Sequence, residues 1–145
     1  MIPLQELHAQ NHQLAELTKV LRYLFQDREM CDTDVACELL ERYTAKIDAH
    51  MTRNRKIYSV LLARPDGPAR AMAHRFIEGE KEIKRLFKDY QARWCKNGLR
   101  INDHTRFLDD TEDMFDLLRE RIQAETEQLY PLARTVDAQA ETRVA

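Results

Sequence analysis

Two pairs of polar side chains, each spaced by one helical turn, have the residue types of a metal site or of a buried hydrogen-bond network. His50 is followed four residues later by Asn54, and Arg121 is followed four residues later by Glu125. Residues spaced by four lie on one face of a helix, so each pair points in one direction. Imidazole and carboxylate groups bind iron and zinc, and they form networks when they are buried without metal.

The hydrophobic pattern places both pairs inside a bundle of helices. Short connections between long helices make neighbouring helices antiparallel. The sequence therefore predicts an all-α, up-down-up-down antiparallel four-helix bundle at residues 1–133, followed by a flexible C-terminal tail at 134–145. The predicted helices, from apolar residues at helical spacing, cover 4–26, 33–62, 68–97 and 103–131.

Capping and turn residues mark the ends of these predicted helices. The segment Arg64-Pro65-Asp66-Gly67-Pro68 is the clearest break in the chain, and its second proline suits the first turn of the third helix. Asn97-Gly98 supplies a left-handed residue that ends the third helix. The candidate N-caps are Asp32 or Thr33 for the second helix and Asn102 or Asp103 for the fourth.

Polar residues interrupt the inward-facing stripe of every predicted helix. A buried charge or imidazole costs several kcal/mol unless it is paired, hydrogen-bonded or bound to metal, so each of these residues needs a partner. We therefore expect them to meet in the bundle interior. The members of this polar row are Asn11, His50, Asn54, Glu80, Arg121 and Glu125.

Two segments of the row resemble the motifs of a known family, the hemerythrin-like (HHE) cation-binding bundles. The segment Arg121-Ile122-Gln123-Ala124-Glu125-Thr126-Glu127-Gln128-Leu129-Tyr130-Pro131 is similar to their closing motif, H-I-x-x-E-E-x-x-L-F-P. His50-Met51-Thr52-Arg53-Asn54 is similar to their H-x-x-x-E motif. The resemblance runs from the first helix to Pro131, and it implies a bundle whose inward His and Glu residues hold a non-haem di-iron centre.

The chain departs from this family pattern at several positions. Asn54 stands where the resemblance implies a bridging Glu, and Arg121 stands where it implies a His. By hydrophobic register, Asn11 takes the place of the first-helix His and Glu80 that of the third-helix His. His12 and His74 could be aligned loosely with those two places, yet both project away from the inward stripes.

These departures leave two interpretations open for the centre. A guanidinium beside Glu125 opposes a second metal cation, which argues against an intact di-iron site. No cofactor is firmly predicted. One interpretation is a single iron or zinc ion on His50, Glu125 and Glu80, with His8 or His12 recruited. The other is a satisfied polar network of the six residues in the row, with Arg121 paired to a carboxylate.

The outer face of the fourth helix suggests a protein partner. A weaker similarity links Arg121-Ile122-Gln123-Ala124-Glu125 to the R-F-x-x-E-D-x-x-L pattern of bacterial anti-sigma bundles, which implies exchange of a cation centre for a protein partner. A solvated face and a homodimer are alternatives. The acidic stripe consists of Asp109, Glu112, Asp113, Asp116 and Glu120, and the basic residues near the turn between helices two and three are Arg53, Arg55, Lys56, Arg64, Arg70 and Arg75.

Composition limits the remaining classes of function. The 145 residues include 23 basic and 25 acidic side chains, and a formal charge of -2 disfavours nucleic-acid binding. No apolar run reaches the roughly 20 residues of a membrane span, the start lacks a signal-peptide pattern, and the three cysteines suit reduced thiols. We therefore predict a cytoplasmic, non-enzymatic regulatory or interaction protein. The alternative is a metal protein for O2 or redox sensing or iron handling.

Overall fold

The computed structural model describes residues 2–96 and 98–144, with side chains as far as Gln139. The described chain is helical almost throughout, and its four long helices form the predicted all-α, up-down bundle, which is thereby confirmed. The helices are α1 (Leu4–Phe25), α2 (Arg28–Cys31), α3 (Asp34–Leu62), α4 (Gly67–Trp94), α5 (His104–Ala124) and α6 (Tyr130–Val144), with a π-helical turn at Glu125–Leu129 between the last two.

Side-chain caps start three of the long helices. Thr33 accepts a hydrogen bond from the backbone N–H of Ala36 at the start of α3, so Thr33 rather than Asp32 is the cap. Asp66 and Asp103 cap α4 and α5 in the same way. Each cap satisfies a backbone donor that the first turn of a helix leaves free.

The connections at one end of the bundle differ in part from the sequence-based expectation. Residues 28–31 form the short helix α2, which the hydrophobic pattern did not predict. The side chain of Asp32 accepts a hydrogen bond from the backbone N–H of Ile101 at 2.9 Å, which ties this helix to the start of α5. Gly98 has a φ of 91°, the left-handed conformation predicted at the end of α4, whereas Asn97 lies outside the described residues.

The apolar core is divided into two clusters that lie along the bundle axis. One cluster surrounds Leu14, Tyr43 and Phe115, and the other surrounds Leu7 and Tyr130. Along the helices, Asn11, Asn54 and Glu80 each fall between members of the two clusters. Arg121 and Glu125 fall between Leu118 of the first cluster and Leu129 of the second. The polar row is therefore a layer across the bundle, with apolar packing on both sides.

The last helix continues past the domain boundary that the sequence pattern suggested at residue 133. Ala133 and Val136 are buried in the second apolar cluster, and the Asp137 carboxylate accepts a hydrogen bond from the backbone N–H of Ile2 at 3.1 Å. The small apolar residues of this segment gave no clear period. The flexibility of 134–145 stays a prediction, but its first residues are packed on the bundle.

Two further observations concern the sequence-based exclusions. None of the helices in the described ranges combines the length and the apolar composition needed to cross a bilayer. Cys31 is buried, Cys37 and Cys95 are half-buried, and all three carry free thiols.

Candidate functional site

The six predicted members of the polar row are all buried. They are contributed by α1, α3, α4, α5 and the π-helical turn, so every long helix supplies at least one polar group to the layer. Their exposed fractions are 4% for Asn11, 3% for His50, 0% for Asn54, 6% for Glu80, 8% for Arg121 and 0% for Glu125.

Glu125 is the hub of this layer. An ionised carboxylate offers about four lone-pair positions, and donors from the surrounding helices fill both of its oxygens. The donors are His50 Nε2 at 2.8 Å, Tyr130 OH at 2.9 Å and Asn11 Nδ2 at 3.2 Å on Oε1, and Asn54 Nδ2 at 2.9 Å and Arg121 Nε at 3.0 Å on Oε2. No acceptor position of Glu125 is left for another ligand.

The contact between His50 and Glu125 fixes where one proton lies. Because an ionised carboxylate only accepts hydrogen bonds, the Nε2 atom of His50 must carry a proton to donate at 2.8 Å. The other ring nitrogen, Nδ1, lies 2.7 Å from the side-chain oxygen of Gln10. Both ring nitrogens are therefore engaged within the chain, and neither faces an open position.

Arg121 crosses the layer and joins several elements. Its Nε atom donates to Glu125, its Nη1 atom donates to the backbone oxygen of Phe76 at 3.0 Å, and its Nη2 atom donates to the Tyr58 hydroxyl at 2.5 Å. The guanidinium carbon also lies 4.6 Å from the centre of the Phe76 ring, within the range of a cation–π contact. Arg121 thus connects α5 to α3 and α4.

Gly79 on α4 makes room for this side chain. A Cβ atom at position 79 would lie 2.9 Å from Arg121 Nη1, which is closer than a real Cβ approaches another heavy atom. A glycine inside a helix costs about 1 kcal/mol relative to alanine. Its presence here is explained by the space that the guanidinium occupies.

Glu80 lies in the same layer but is not bonded to the Glu125 hub. Its nearest cation is Lys84, whose Nζ atom is 3.8 Å from Oε1, beyond hydrogen-bond distance. Oε1 of Glu80 and Oδ1 of Asn11 are buried and have no hydrogen-bond partner within the described residues. These two oxygens are the remaining unsatisfied acceptors of the layer.

The π-helical turn at Glu125–Leu129 explains how Glu125 and Tyr130 both face inward. In a regular helix, residues five apart point in different directions. A π-helical turn adds a residue to the turn, and such turns are frequent at functional sites. Here it brings the Tyr130 hydroxyl to 2.9 Å from Glu125 Oε1.

The electrostatics of the layer favour an ionised Glu125. Burial opposes ionisation, but the hydrogen bond and charge of His50, the charge of Arg121 and the hydrogen bond from Tyr130 together hold the pKa of the Glu125 carboxyl below its ordinary value. Burial raises the pKa of Tyr58 and of Tyr130, so both phenols are neutral hydrogen-bonding groups.

Sequence reasoning missed three members of this network: Gln10, Tyr58 and Tyr130. Tyr58 follows Asn54 by one turn on α3, so the period that singled out Asn54 also pointed to it. Gln10 precedes Asn11 on the flank of the α1 stripe. Tyr130 could not be placed by a 3.6-residue period, because the π-helical turn shifts the register between it and Glu125.

The other histidines do not join the layer. His12 and His74 are exposed, as the hydrophobic period predicted. His8 is half-buried, and its ring meets the Tyr130 ring edge-on with the ring centres 4.9 Å apart. Recruitment of His8 or His12 as a ligand is not seen in this arrangement.

The residues of the layer do not fit a metal ion. Within the described ranges, no three His, Cys, Asp or Glu side chains converge closely enough to hold one. Of the predicted set, His50 and Glu125 bond to each other, while Glu80 stands apart beside Lys84. The donor set around Glu125 contains a fixed cation, which repels a metal.

The acidic stripe lies on the outer face of α5, and most of its carboxylates are exposed. Asp109, Asp113, Asp116 and Glu120 are exposed. Glu112 is half-buried and accepts a hydrogen bond from Arg22 on α1 at 2.8 Å, so it belongs to the contact between two helices. The exposed part of the stripe therefore consists of four carboxylates.

Comparison with known proteins gives one finding. The model of a protein family described as "Hemerythrin HHE cation binding domain" matches residues 2–133. That match covers nearly the whole bundle and the entire polar layer. Neither the comparison with curated proteins nor the comparison with solved structures gives a match.

Proposed function

Because the chain belongs to the hemerythrin HHE cation-binding domain family, we propose that it is a non-enzymatic, hemerythrin-like regulatory or interaction protein. In this proposal the polar layer holds the helices in register, and the outer face of α5 binds a protein partner. The family is one of metal-binding bundles, so the proposal rests on what distinguishes the centre of this chain.

The observation that carries the proposal is the saturation of Glu125 by donors of its own chain. A carboxylate that ligates metal must have a lone pair free for it, whereas both oxygens of Glu125 accept hydrogen bonds from side chains of α1, α3, α5 and α6. The buried guanidinium of Arg121 supplies the positive charge. This arrangement supports a structural centre and offers no open coordination position for chemistry.

A groove beside the acidic stripe supports the partner surface. Between α4 and α5 the surface opens into a groove of about 320 Å³, with Leu86, Met114 and Leu117 in its lining and Asp113 beside them. Leu86 is 36% exposed, which leaves apolar surface uncovered. Apolar contact surface flanked by carboxylates suits a partner segment that presents apolar residues next to Lys or Arg.

A capture experiment with a matched control tests this function. The tagged chain is used to capture proteins from an extract of the native cells, and each captured protein is then purified and its Kd measured. We expect Asp113→Lys with Asp116→Lys to weaken binding at least tenfold without lowering Tm. The control, Glu41→Lys with Asp48→Lys, makes the same charge change on the exposed face of α3 and should leave the Kd unchanged.

Two results would contradict the proposal. Equal binding by both double variants would remove the acidic stripe from the interface. Stoichiometric iron in protein purified without chelator would show that the polar layer is a metal centre and not a structural one.

A metal-binding function with a reduced ligand set has one observation in its favour. Glu80 Oε1 is a buried acceptor that has no hydrogen-bond partner among the described residues, which leaves a lone pair available for a metal ion. Under this alternative, His50→Ala and Glu80→Gln would each lower the metal content measured by element analysis. Unchanged metal content in both variants, or no metal in the wild type, would exclude it.

A further inference from the structure

We infer that the Arg121 guanidinium is a built-in cation that takes the place of a metal ion in this bundle, so that the folded bundle does not respond to metal supply or redox state. This inference rests on the proposed function, because it explains how the centre works as a structural element. It assigns a joint role to Gly79 and to Arg121, which stands where the family resemblance implies a His.

The geometry of Arg121 is that of a central cation rather than of a surface ion pair. Three of its nitrogen atoms donate to Glu125, to the Phe76 backbone oxygen and to the Tyr58 hydroxyl. Glu125 in turn accepts from α1 and α3. The guanidinium and its carboxylate therefore connect all four long helices, as a metal with ligands from each helix would.

The surroundings of the guanidinium are shaped for it. Its carbon lies against the face of the Phe76 ring, and the missing side chain of Gly79 leaves the space that Nη1 fills. A planar, permanently charged group held by three acceptors has little freedom to leave the site. A metal ion could enter only by displacing it.

Charge balance across the layer supports the same conclusion. Each of the two buried carboxylates has a cation of the chain within 4 Å: Arg121 lies 3.0 Å from Glu125, and Lys84 lies 3.8 Å from Glu80. This charge balance has a consequence for regulation by metal. A bundle whose central charge is covalently attached keeps its shape when metal is scarce or when iron would change oxidation state.

Removal of the guanidinium tests the inference, because it should create a vacancy for a cation. In EDTA we expect Arg121→Met to lower Tm by about 10 °C, since it leaves Glu125 buried without its cation. Zinc, a metal without redox chemistry, should raise the Tm of Arg121→Met by several degrees. Zinc should leave the Tm of the wild type and of Arg121→Met with Glu125→Gln unchanged.

Arg121→Lys keeps the experiment decisive if the Met variant does not fold. This variant keeps the positive charge but loses the hydrogen bonds of the guanidinium to three acceptors. In EDTA we therefore expect a Tm between those of the wild type and Arg121→Met, and we expect zinc to leave that Tm unchanged. The inference is overturned if zinc or EDTA shifts the wild-type Tm, if Arg121→Met matches the wild type in EDTA, or if zinc fails to stabilise a folded Arg121→Met. A different result would contradict only the proposed partner surface: the wild type binds no metal, and charge reversal at Asp113 and Asp116 leaves its affinity for the partner unchanged.

Discussion

Gly79 on α4 and Arg121 on α5 occupy one space: a Cβ atom on the glycine would stand 2.9 Å from Nη1 of the arginine. The helix in which each residue lies gives no reason for its presence. Glycine weakens a helix interior, and a buried guanidinium is costly without partners. The two are explained together, because the glycine gives the guanidinium access to the backbone oxygen of Phe76.

The first prediction is that the effect of Gly79→Ala depends on Arg121. In the wild type, the added methyl group should displace the guanidinium and lower the free energy of unfolding by about 1–3 kcal/mol. In an Arg121→Ala background the same change should raise it by about 0.5–1 kcal/mol, since alanine is the better helix former. Chemical denaturation of the four proteins in this double-mutant cycle measures both values.

Gly67 provides a control for this cycle. Apart from its own chain neighbours and helix backbone, no described atom lies within 4 Å of a Cβ built on Gly67, so Gly67→Ala should change stability by less than about 0.5 kcal/mol in either background. Additive effects of Gly79→Ala and Arg121→Ala would show that the two residues are not coupled.

The second prediction compares two buried tyrosines whose hydroxyls have different partners. The Tyr58 hydroxyl accepts from charged Arg121, and the Tyr90 hydroxyl bonds to the neutral Thr111 hydroxyl at 2.7 Å. Tyr58→Phe should cost about 1.5–3 kcal/mol, and Tyr90→Phe about 0.5–1.5 kcal/mol, because hydrogen bonds to charged groups contribute more. Urea denaturation at neutral pH measures the difference, and equal losses would indicate that the guanidinium does not depend on Tyr58.

Particular residues show how far the sequence could predict this centre. The hydrophobic period indicated which six polar residues face inward, because a 3.6-residue repeat fixes the face of a regular helix. It failed at Tyr130, where the π-helical turn adds a residue that no local propensity announces. It could not explain Gly79, since the reason for that glycine lies on another helix. The sequence period of one helix determines which of its faces is buried, whereas the contacts between two helices depend on how they pack against each other.

The third prediction concerns the C-terminal helix beyond residue 133. Val136 is 4% exposed and packs in the second apolar cluster, whereas Val20 on the outer face of α1 is 52% exposed. Val136→Ala should therefore lower the free energy of unfolding by about 1–2 kcal/mol, and Val20→Ala by less than about 0.5 kcal/mol. Equal effects in thermal or urea denaturation would mean that the bundle ends near residue 133, as the sequence pattern suggested.

The last prediction follows from the ionisation of Glu125. Its pKa is lowered in the folded protein from the ordinary value of 4.5, so the folded state binds this proton less tightly than the unfolded chain does. The stability that the ionised carboxylate contributes is therefore fully present above about pH 4.5 and is lost as the pH falls through the lower pKa of the folded state.

Glu125→Gln makes this contribution measurable. The variant leaves Arg121 buried without its carboxylate, so we expect a loss of about 3–5 kcal/mol at pH 7. That gap should stay constant down to about pH 4.5 and narrow below it, as the wild type alone takes up the proton. Urea unfolding at pH 7, 5, 4 and 3 follows the gap.

Glu82→Gln is the matched control for that titration. Glu82 is exposed, and a hydrogen bond from Arg85 lowers its pKa, so it shares the direction of the shift without the burial. Because solvent screens an exposed pair, its substitution should leave the shape of the stability curve close to that of the wild type. A gap for Glu125→Gln that narrows already between pH 7 and 5 would contradict the assignment of this titration to the Glu125 carboxylate.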